Sequence, residues 1–216
     1  MPYLTRRIFL LSGPLVLVGT ALGGRLPALA RTAPEGLTPA QTEGPFYPDS
    51  LPEDRDSDLV RIAETNGRAE GEILDLRGRV SDPQGDPYPD CRIEIWQADA
   101  GGRYLHSGDD RSGERDPHFQ GYGTTRSDSE GRYAFRTIRP VPYGSRTPHI
   151  HFKVHSPAGQ TLTTQMYVAG EPLNENDWLY NRLDDAEKAR LTVKLEARED
   201  EVGALWEGHF SIVLPR

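Results

Sequence analysis

Hydrophobic and polar residues alternate in short runs from residue 71 onward, and clusters of Gly, Pro, Asp and Ser separate the runs. In "CRIEIWQAD" (91–99), Ile93 and Ile95 fall on one face and Glu94 and Trp96 on the other, which is the two-residue period of a strand. About eight strands are predicted, at 73–81, 91–99, 121–127, 132–138, 149–155, 161–168, 191–199 and 206–214. Short strands divided by turn clusters predict an all-β fold, an antiparallel β-sandwich with long end loops.

One segment departs from the strand pattern. "LDDAEKARL" (183–191) begins with acidic residues and ends with basic ones, which suits the dipole of a helix, so one short helix is predicted there. The longest segments without strand character are 100–120 and 169–183. Loops of this kind at the ends of a sandwich are where we expect functional residues.

The first seventy residues differ in composition from the rest. Residues 1–30 carry Arg6-Arg7, a broken apolar stretch and a small-x-small end at Ala28-Leu29-Ala30, and they predict a twin-arginine-type signal peptide that directs export to the periplasm or the exterior. The glycines and the proline inside the apolar stretch make it a poor membrane span. Residues 31–70 read as an extended arm, in which "TEGPFYPDSLPEDRDSDL" has enough aromatic content to pack onto something.

Charge and cysteine content exclude several kinds of partner and site. The formal net charge of −8 argues against binding to nucleic acid or to anionic membrane surfaces. A single cysteine, Cys91, excludes an internal disulfide and a Cys-rich metal site. Because Cys91 opens an apolar strand, we expect a buried, unreactive thiol.

A histidine pair is the first candidate for chemistry. In "RTPHIHFKVH" (146–155), His149 and His151 are two residues apart on a predicted strand, so both imidazoles point the same way and could chelate a metal. Spacing alone does not separate a ligand pair from two surface histidines. A cupin-type site would need a glutamate four or five residues after the pair, where the chain has His155 and Ser156. The remaining histidines share no motif and are expected to be structural: His106, His118, His155 and His209.

Two tyrosines stand in unusual places. Tyr104 ends "WQADAGGRY", where Gly101-Gly102 allow a sharp turn, and Tyr143 lies between a proline and a glycine in "RPVPYGSR". An isolated tyrosine usually serves in packing. A phenolate is nevertheless a hard anionic ligand suited to ferric iron, and tyrosinate binds iron in one class of haem protein.

Four segments in fixed order resemble the intradiol ring-cleavage dioxygenases: "RIEIWQADAGGRY", "TTRSDSEGRYAFRTIRPVPY", "PHIHFKV" and "LTTQMY". The resemblance covers about residues 42–214 and makes 71–216 the catalytic domain. It implies non-haem Fe(III) as cofactor and a catechol and O2 as substrates, with the ring cleaved between the hydroxylated carbons to a cis,cis-muconate. By the same resemblance, the ferric ligands are Tyr104, Tyr143, His149 and His151. Tyr143 also acts as the ligand that leaves, and Arg146 and Gln165 are catalytic.

The chain departs from the family between Tyr143 and His149. Only "GSRTP" intervenes, and Ser145 stands where the family usually has an aromatic residue. One wall of the pocket is therefore altered, and the identity of the catechol does not carry over. Family enzymes for protocatechuate use two different subunits, so the resemblance leaves both a homo-oligomer and a hetero-oligomer open.

Two other interpretations fit parts of the sequence. The strand and turn pattern also resembles transthyretin-like or carboxypeptidase-regulatory binding modules, which need no tyrosine or histidine ligands and would be colourless. A zinc hydrolase would keep a metal but change the reaction. Colour and metal content distinguish these classes from a ferric dioxygenase.

Overall fold

Two five-stranded sheets make up most of the computed structural model, which describes residues 36–200 and 203–216. Four strands begin and end where the alternation predicts: β1 (Ile73–Ser81), β4 (Arg132–Ile138), β5 (His149–His155) and β6 (Thr161–Val168). Two more are trimmed at their ends, β2 (Arg92–Trp96) and β3 (Tyr122–Arg126). The all-β prediction is confirmed for the described residues. The predicted signal peptide, residues 1–30, lies outside them.

The last two predicted strands are each divided into two. The first gives β7 (Thr192–Val193) and β8 (Glu196–Asp200), and the second gives β9 (Gly203–His209) and β10 (Ile212–Val213). β7 pairs with β6, whereas β8 pairs with β9 in the other sheet. The chain therefore changes sheet between β7 and β8, which an alternating pattern cannot reveal.

Strand directions correct the prediction of purely antiparallel sheets. In the second sheet, ordered β3-β2-β5-β6-β7, the first three pairings are antiparallel and β6 with β7 is parallel. In the first sheet, β1 pairs antiparallel with β4 but parallel with both β9 and β10, while β8 pairs antiparallel with β9. A parallel pair requires a long connection, and here the chain builds the whole second sheet before β9 returns to β1. Both sheets are thus mixed.

The main hydrophobic core takes side chains from both sheets. Ile93 and Ile95 of β2 and Ile150, Phe152 and Val154 of β5 are all fully buried in it. We call this side of the second sheet its inner face. The alternate residues of these strands, such as Trp96, point to an outer face that has a smaller aromatic cluster of its own.

Gly78 of β1 shows how closely the first sheet packs. A Cβ at this position would lie 1.9 Å from the carbonyl oxygen of Phe210 and 2.5 Å from the ring of Tyr133. The Tyr133 hydroxyl donates to the same carbonyl at 2.6 Å. Only glycine leaves room for this contact between β1, β4 and the break that separates β9 from β10.

The predicted helix is confirmed as α1 (Asp185–Leu191). Its first turn is closed by a capping box, in which the Asp184 side chain accepts from the Glu187 N–H and the Glu187 carboxylate accepts from the Asp184 N–H. The preceding loop contains two 3-10 turns, Pro172–Asn176 and Tyr180–Arg182. Within the described ranges, no helix is long and apolar enough to cross a membrane.

The described part of the arm, residues 36–70, packs against both sheets. Thr38 exchanges hydrogen bonds with Val213 of β10, and the Gln41 N–H donates to the Thr163 carbonyl on β6 at 2.8 Å. Farther along, Leu59 is fully buried in the main core. The arm therefore runs over the surface of the sheets, and the proposed domain boundary at residue 70 stays a prediction.

Candidate metal centre

Strand β5 places two histidines side by side on the outer face of the second sheet. His149 lies opposite Tyr167 of β6, and His151 lies between Gln165 of β6 and Trp96 of β2. Both histidines are about 3% exposed. The His151 ring stacks on Trp96 with centroids 4.8 Å apart and planes 7° from parallel, which fixes its orientation. The pair predicted from its spacing is thus buried and packed, unlike two surface histidines.

Tyr104 and Tyr143 join the histidines to form a group of four rings, here called the ring cluster. Ring centroids are 4.8 Å apart for His149 and His151, 5.2 Å for Tyr104 and Tyr143, and 5.9 Å for both Tyr104–His151 and Tyr143–His149. The structure therefore brings together all four residues that the resemblance implies as ligands, although two of them come from loops.

Hydrogen bonds fix the tautomer of His149. Its Nδ1 lies 2.6 Å from the Thr147 carbonyl oxygen, which can only accept, so Nδ1 carries the proton. Nε2 then has a free lone pair and accepts from the Tyr104 hydroxyl at 3.2 Å. A backbone carbonyl that holds the far nitrogen of an imidazole is the usual support for a metal-binding histidine.

Burial controls the protonation of the ring cluster. Burial and the nearby Arg146 charge lower the pKa of His149 to about 4, and burial with the neighbouring His149 lowers that of His151 well below its ordinary value. Burial also raises the pKa of Tyr104 far above that of a free phenol. At neutral pH the imidazoles are therefore neutral and have lone pairs for a metal, while the Tyr104 phenol keeps its proton unless a cation replaces it.

A loop carboxylate links the two tyrosines. Asp109, nearly fully buried, accepts from the Tyr104 backbone N–H at 2.7 Å and from Nε of the Arg111 guanidinium at 2.8 Å. The Arg111 guanidinium carbon in turn lies 4.5 Å from the centroid of the Tyr143 ring. The half-buried Tyr143 ring is thus covered by a cation and by Phe46, whose centroid is 5.8 Å away.

Tyr143 and Arg146 are the two ends of one tight turn. The Arg146 N–H donates to the Tyr143 carbonyl at 2.9 Å, the reverse bond measures 3.3 Å, and Gly144 has a φ of +54° that glycine readily adopts. Gly144 and Ser145 at the tip are exposed. The short segment that departs from the family pattern is therefore a tight turn with an exposed tip.

Arg146 lies beside the ring cluster and is held on two sides. Its Nε donates to Asp177 and its Nη2 donates to the side-chain oxygen of Gln165, both at 2.8 Å. Gln165 is fully buried and donates to the carbonyl of Thr42 in the arm at 2.9 Å. The two residues assigned catalytic roles by resemblance thus contact each other directly.

Asp177 has no recognisable signal in the sequence. It lies in the 169–183 loop, where functional residues are expected, but "NENDW" carries no motif. Although burial raises its pKa, hydrogen bonds from the Tyr180 N–H and from Arg146 outweigh burial, and the net pKa is below the usual value. The carboxylate is therefore charged at neutral pH and forms an ion pair with Arg146.

The arm covers the outer face next to the histidines. A Cβ on Gly44 would lie 3.3 Å from Cε1 of His151, and Phe46 stacks on Tyr104 with centroids 5.3 Å apart. The Tyr47 hydroxyl donates to the buried carboxylate of Glu94 at 2.8 Å. "TEGPFYP", predicted to pack onto something, thus packs onto the ring cluster and the strand beside it.

The other histidines and the cysteine lie outside the ring cluster. His155 pairs with Glu94 at 3.1 Å, and His106 packs edge-on against Phe46. Cys91 is fully buried, and burial raises the pKa of its thiol, as expected for an unreactive side chain. Among the described residues, no group of three or more His, Cys, Asp or Glu side chains could hold a metal, so a metal here would depend on tyrosine ligands.

Comparison with known proteins places the chain among dioxygenases. A family model described as "Dioxygenase" matches residues 42–216. The protocatechuate 3,4-dioxygenase beta chain of Burkholderia cepacia is 38% identical over 74% of this chain and 71% of its own length. The hydroxyquinol 1,2-dioxygenase of Nocardioides simplex is 30% identical over 81% of this chain, which covers 62% of that relative and so less than two thirds of it.

A solved structure supports the same relationship. The dioxygenase domain of a dioxygenase carbohydrate-binding protein fusion from Streptomyces sp. SirexAA-E has a TM-score of 0.63 and 31% identity. The match covers 83% of this chain and 99% of that domain.

Proposed function

The chain belongs to the intradiol ring-cleavage dioxygenases, oxidoreductases that open catechol-type rings, and from this premise we propose that it cleaves a catechol between its two hydroxylated carbons with O2. The product would be of the cis,cis-muconate type. The observation that carries the proposal is the ring cluster, because two phenols and two imidazoles from three separate segments converge on the outer face beside Arg146.

Enzymes of this family use non-haem Fe(III), and the residues present fit that ion. Tyr104, Tyr143, His149 and His151 supply two potential phenolates and two neutral imidazoles, a donor set suited to a hard trivalent cation. The Nδ1 atom of His151 is buried and has no hydrogen-bond partner among the described residues. Burying imidazole and phenol groups without water or hydrogen-bond partners is unfavourable. A bound metal ion would offset that cost by providing the missing partner.

Fe(III), when bound, would supply Lewis acidity and a template for the two catechol oxygens. The half-buried Tyr143 is the more accessible of the two tyrosines, and we assign its Oη as a base that accepts a catechol proton. Arg146 offers a permanent positive charge where negative charge develops on the substrate, and Gln165 orients its guanidinium. Phe46, which lies on the arm, stacks on Tyr104 and excludes water from that side of the ring.

Iron analysis together with a turnover assay tests the proposal. Protein produced with iron available should contain about one ferric ion per chain and absorb visible light, because phenolate bound to Fe(III) is coloured. Assays over a panel of catechols, with product spectra, should then identify the substrate. Stoichiometric zinc with no visible band would indicate a hydrolase instead, and colourless, metal-free protein would indicate a binding module, an alternative that the family match already disfavours.

The substrate itself is proposed only as a class. Gly144 and Ser145 of the tight turn supply no aromatic wall, and Arg111 with Phe46 covers the Tyr143 ring. We therefore include catechols with ring substituents in the panel, alongside unsubstituted catechol. Light scattering on the active fraction would distinguish a homo-oligomer from a complex with a second subunit.

We also propose that the protein is exported as a folded chain through the twin-arginine route, with cleavage after Ala30. The support is Arg6-Arg7, the apolar stretch that follows and the small-x-small end of residues 1–30. Replacing Arg6-Arg7 by two lysines should trap the precursor in the cytoplasm, as detected by fractionation. Unchanged export of that variant would contradict the route.

A further inference from the structure

Asp177 receives four hydrogen bonds from two segments of the chain. Its Oδ2 accepts from Arg146 Nε at 2.8 Å and from the Thr147 N–H at 2.9 Å. Its Oδ1 accepts from the N–H groups of Leu179 and Tyr180, both at 2.9 Å. The carboxylate is fully buried, and it ties the start of β5 to the loop that contains it.

Asp177 is one of three residues that hold the Arg146 guanidinium. Asp177 holds Nε, and Gln165, itself bound to the Thr42 carbonyl, holds Nη2. The guanidinium also forms a side-chain hydrogen bond with Tyr167, and the Arg146 side chain is only 11% exposed. Asp177 and Gln165 bind two nitrogens of one planar group, so together they fix the orientation of the guanidinium beside the ring cluster.

We propose that Asp177 is a positioning residue for Arg146 in ring cleavage, an inference that rests on the function proposed above. An arginine side chain is long and flexible, and it stabilises developing charge best when its orientation is fixed before the reaction. A buried guanidinium also needs a counter-charge, which Asp177 provides. Without Asp177 the guanidinium loses its only charged anchor among these contacts and keeps the neutral contacts to Gln165 and Tyr167, which hold its orientation less firmly.

A purely structural role for Asp177 predicts a different outcome, and Asn174 offers a matched control. Asn174 accepts from the Thr147 hydroxyl at 2.7 Å and donates to the Val168 carbonyl at 2.9 Å. It therefore ties the same loop to the same start of β5 and forms no hydrogen bond with Arg146 among the described residues. Asn174→Ala removes these hydrogen bonds of the loop and leaves the hydrogen bonds of the Arg146 guanidinium in place.

The test compares Asp177→Asn with Asn174→Ala in iron-loaded protein at equal iron content. Asp177→Asn should lower kcat by about tenfold to hundredfold, the cost of a small misplacement of a catalytic group, with KM for the catechol little changed. Asn174→Ala should lower the melting temperature but leave kcat near the wild-type value. An equal loss of kcat in both variants would overturn the positioning role.

A mutant cycle with Arg146→Ala makes the test specific. Asp177→Asn should have no further effect on kcat in the Arg146→Ala background, because there is no guanidinium left to orient. The same loss in both backgrounds would contradict the proposal. If Asp177→Asn does not fold, Asp177→Glu, which keeps the charge but moves the oxygens, takes its place in the cycle with the same expectations. A wild-type protein that cleaves no catechol would overturn the proposed function, and the role of Asp177 with it.

Discussion

The inner and outer faces of β5 are both buried, yet they are stabilised in different ways. Ile150, Phe152 and Val154 on the inner face contact other apolar side chains, and this packing favours folding directly. His149 and His151 on the outer face lose their hydration, and their lowered pKa values reflect that loss. One strand can thus contribute stability through one face and chemistry through the other, at some expense to stability.

The largest expected effect is a loss of iron, caused by a change on the outer face that leaves the protein folded. His151→Ala should lose most of the iron and the visible band, because it removes one half of the chelating pair, and Tyr104→Phe should do the same. Tyr143→Phe should retain more iron, since that ligand is the one expected to leave. Metal analysis and circular dichroism on the same samples check this prediction. Full iron content and activity in His151→Ala would show that the ligand assignment is wrong.

The reciprocal change on the inner face should affect stability alone. Phe152→Ala leaves a cavity among fully buried side chains and should lower the free energy of unfolding by about 3–5 kcal/mol. The folded fraction should still bind iron, because the ring cluster keeps all its members. Urea unfolding followed by iron analysis of the folded protein measures both quantities. Loss of iron from fully folded Phe152→Ala would mean that the two faces are not separable.

Arg146 tests whether the outer face separates binding from catalysis. Arg146→Ala should keep its iron, its colour and its spectral shift on catechol binding, but turn over about a hundredfold to a thousandfold more slowly, roughly 3–4 kcal/mol of lost transition-state stabilisation. Arg146→Lys should recover only part of the rate, because an ammonium lacks the planar fork. Steady-state kinetics at matched iron content provide the measurement. Wild-type turnover in Arg146→Ala would show that the residue is structural.

The smallest effect is expected where the arm is fastened to the outer face. Tyr47→Phe removes the hydroxyl that donates to Glu94 and should lower the free energy of unfolding by about 1.5–3 kcal/mol, as one hydrogen bond to a charged group is lost. Because Glu94 also pairs with His155, the carboxylate keeps a partner. Thermal melts report the change, and iron content serves as the control. A large loss of iron would mean that this single hydrogen bond controls the docking of the arm on the ring cluster.

Sequence patterns predict one face of β5 far better than the other. Alternation places β5 correctly and puts the two histidines on one side, because side-chain direction in a strand is a local property. Tyr104 and Tyr143 are two of nine tyrosines, and only the family resemblance selects them. Asp177 could not be predicted, since its role depends on a loop folding back onto the turn before β5. Strand direction was missed for the same reason, as pairing partners are set by the whole chain.

The arm also affects how the protein reaches its native state. Its hydrogen bonds join residues that are far apart in sequence, 123 positions for Thr42 with Gln165 and 175 for Thr38 with Val213. Contacts between residues so far apart in sequence close large loops at a high entropic cost. They should therefore form later than the hairpins of the second sheet. Since Gly44 and Phe46 lie on that arm, the site is complete only after both sheets have formed. Iron binding during refolding should therefore lag behind the appearance of β structure. The rate of iron binding would then report the final step of folding.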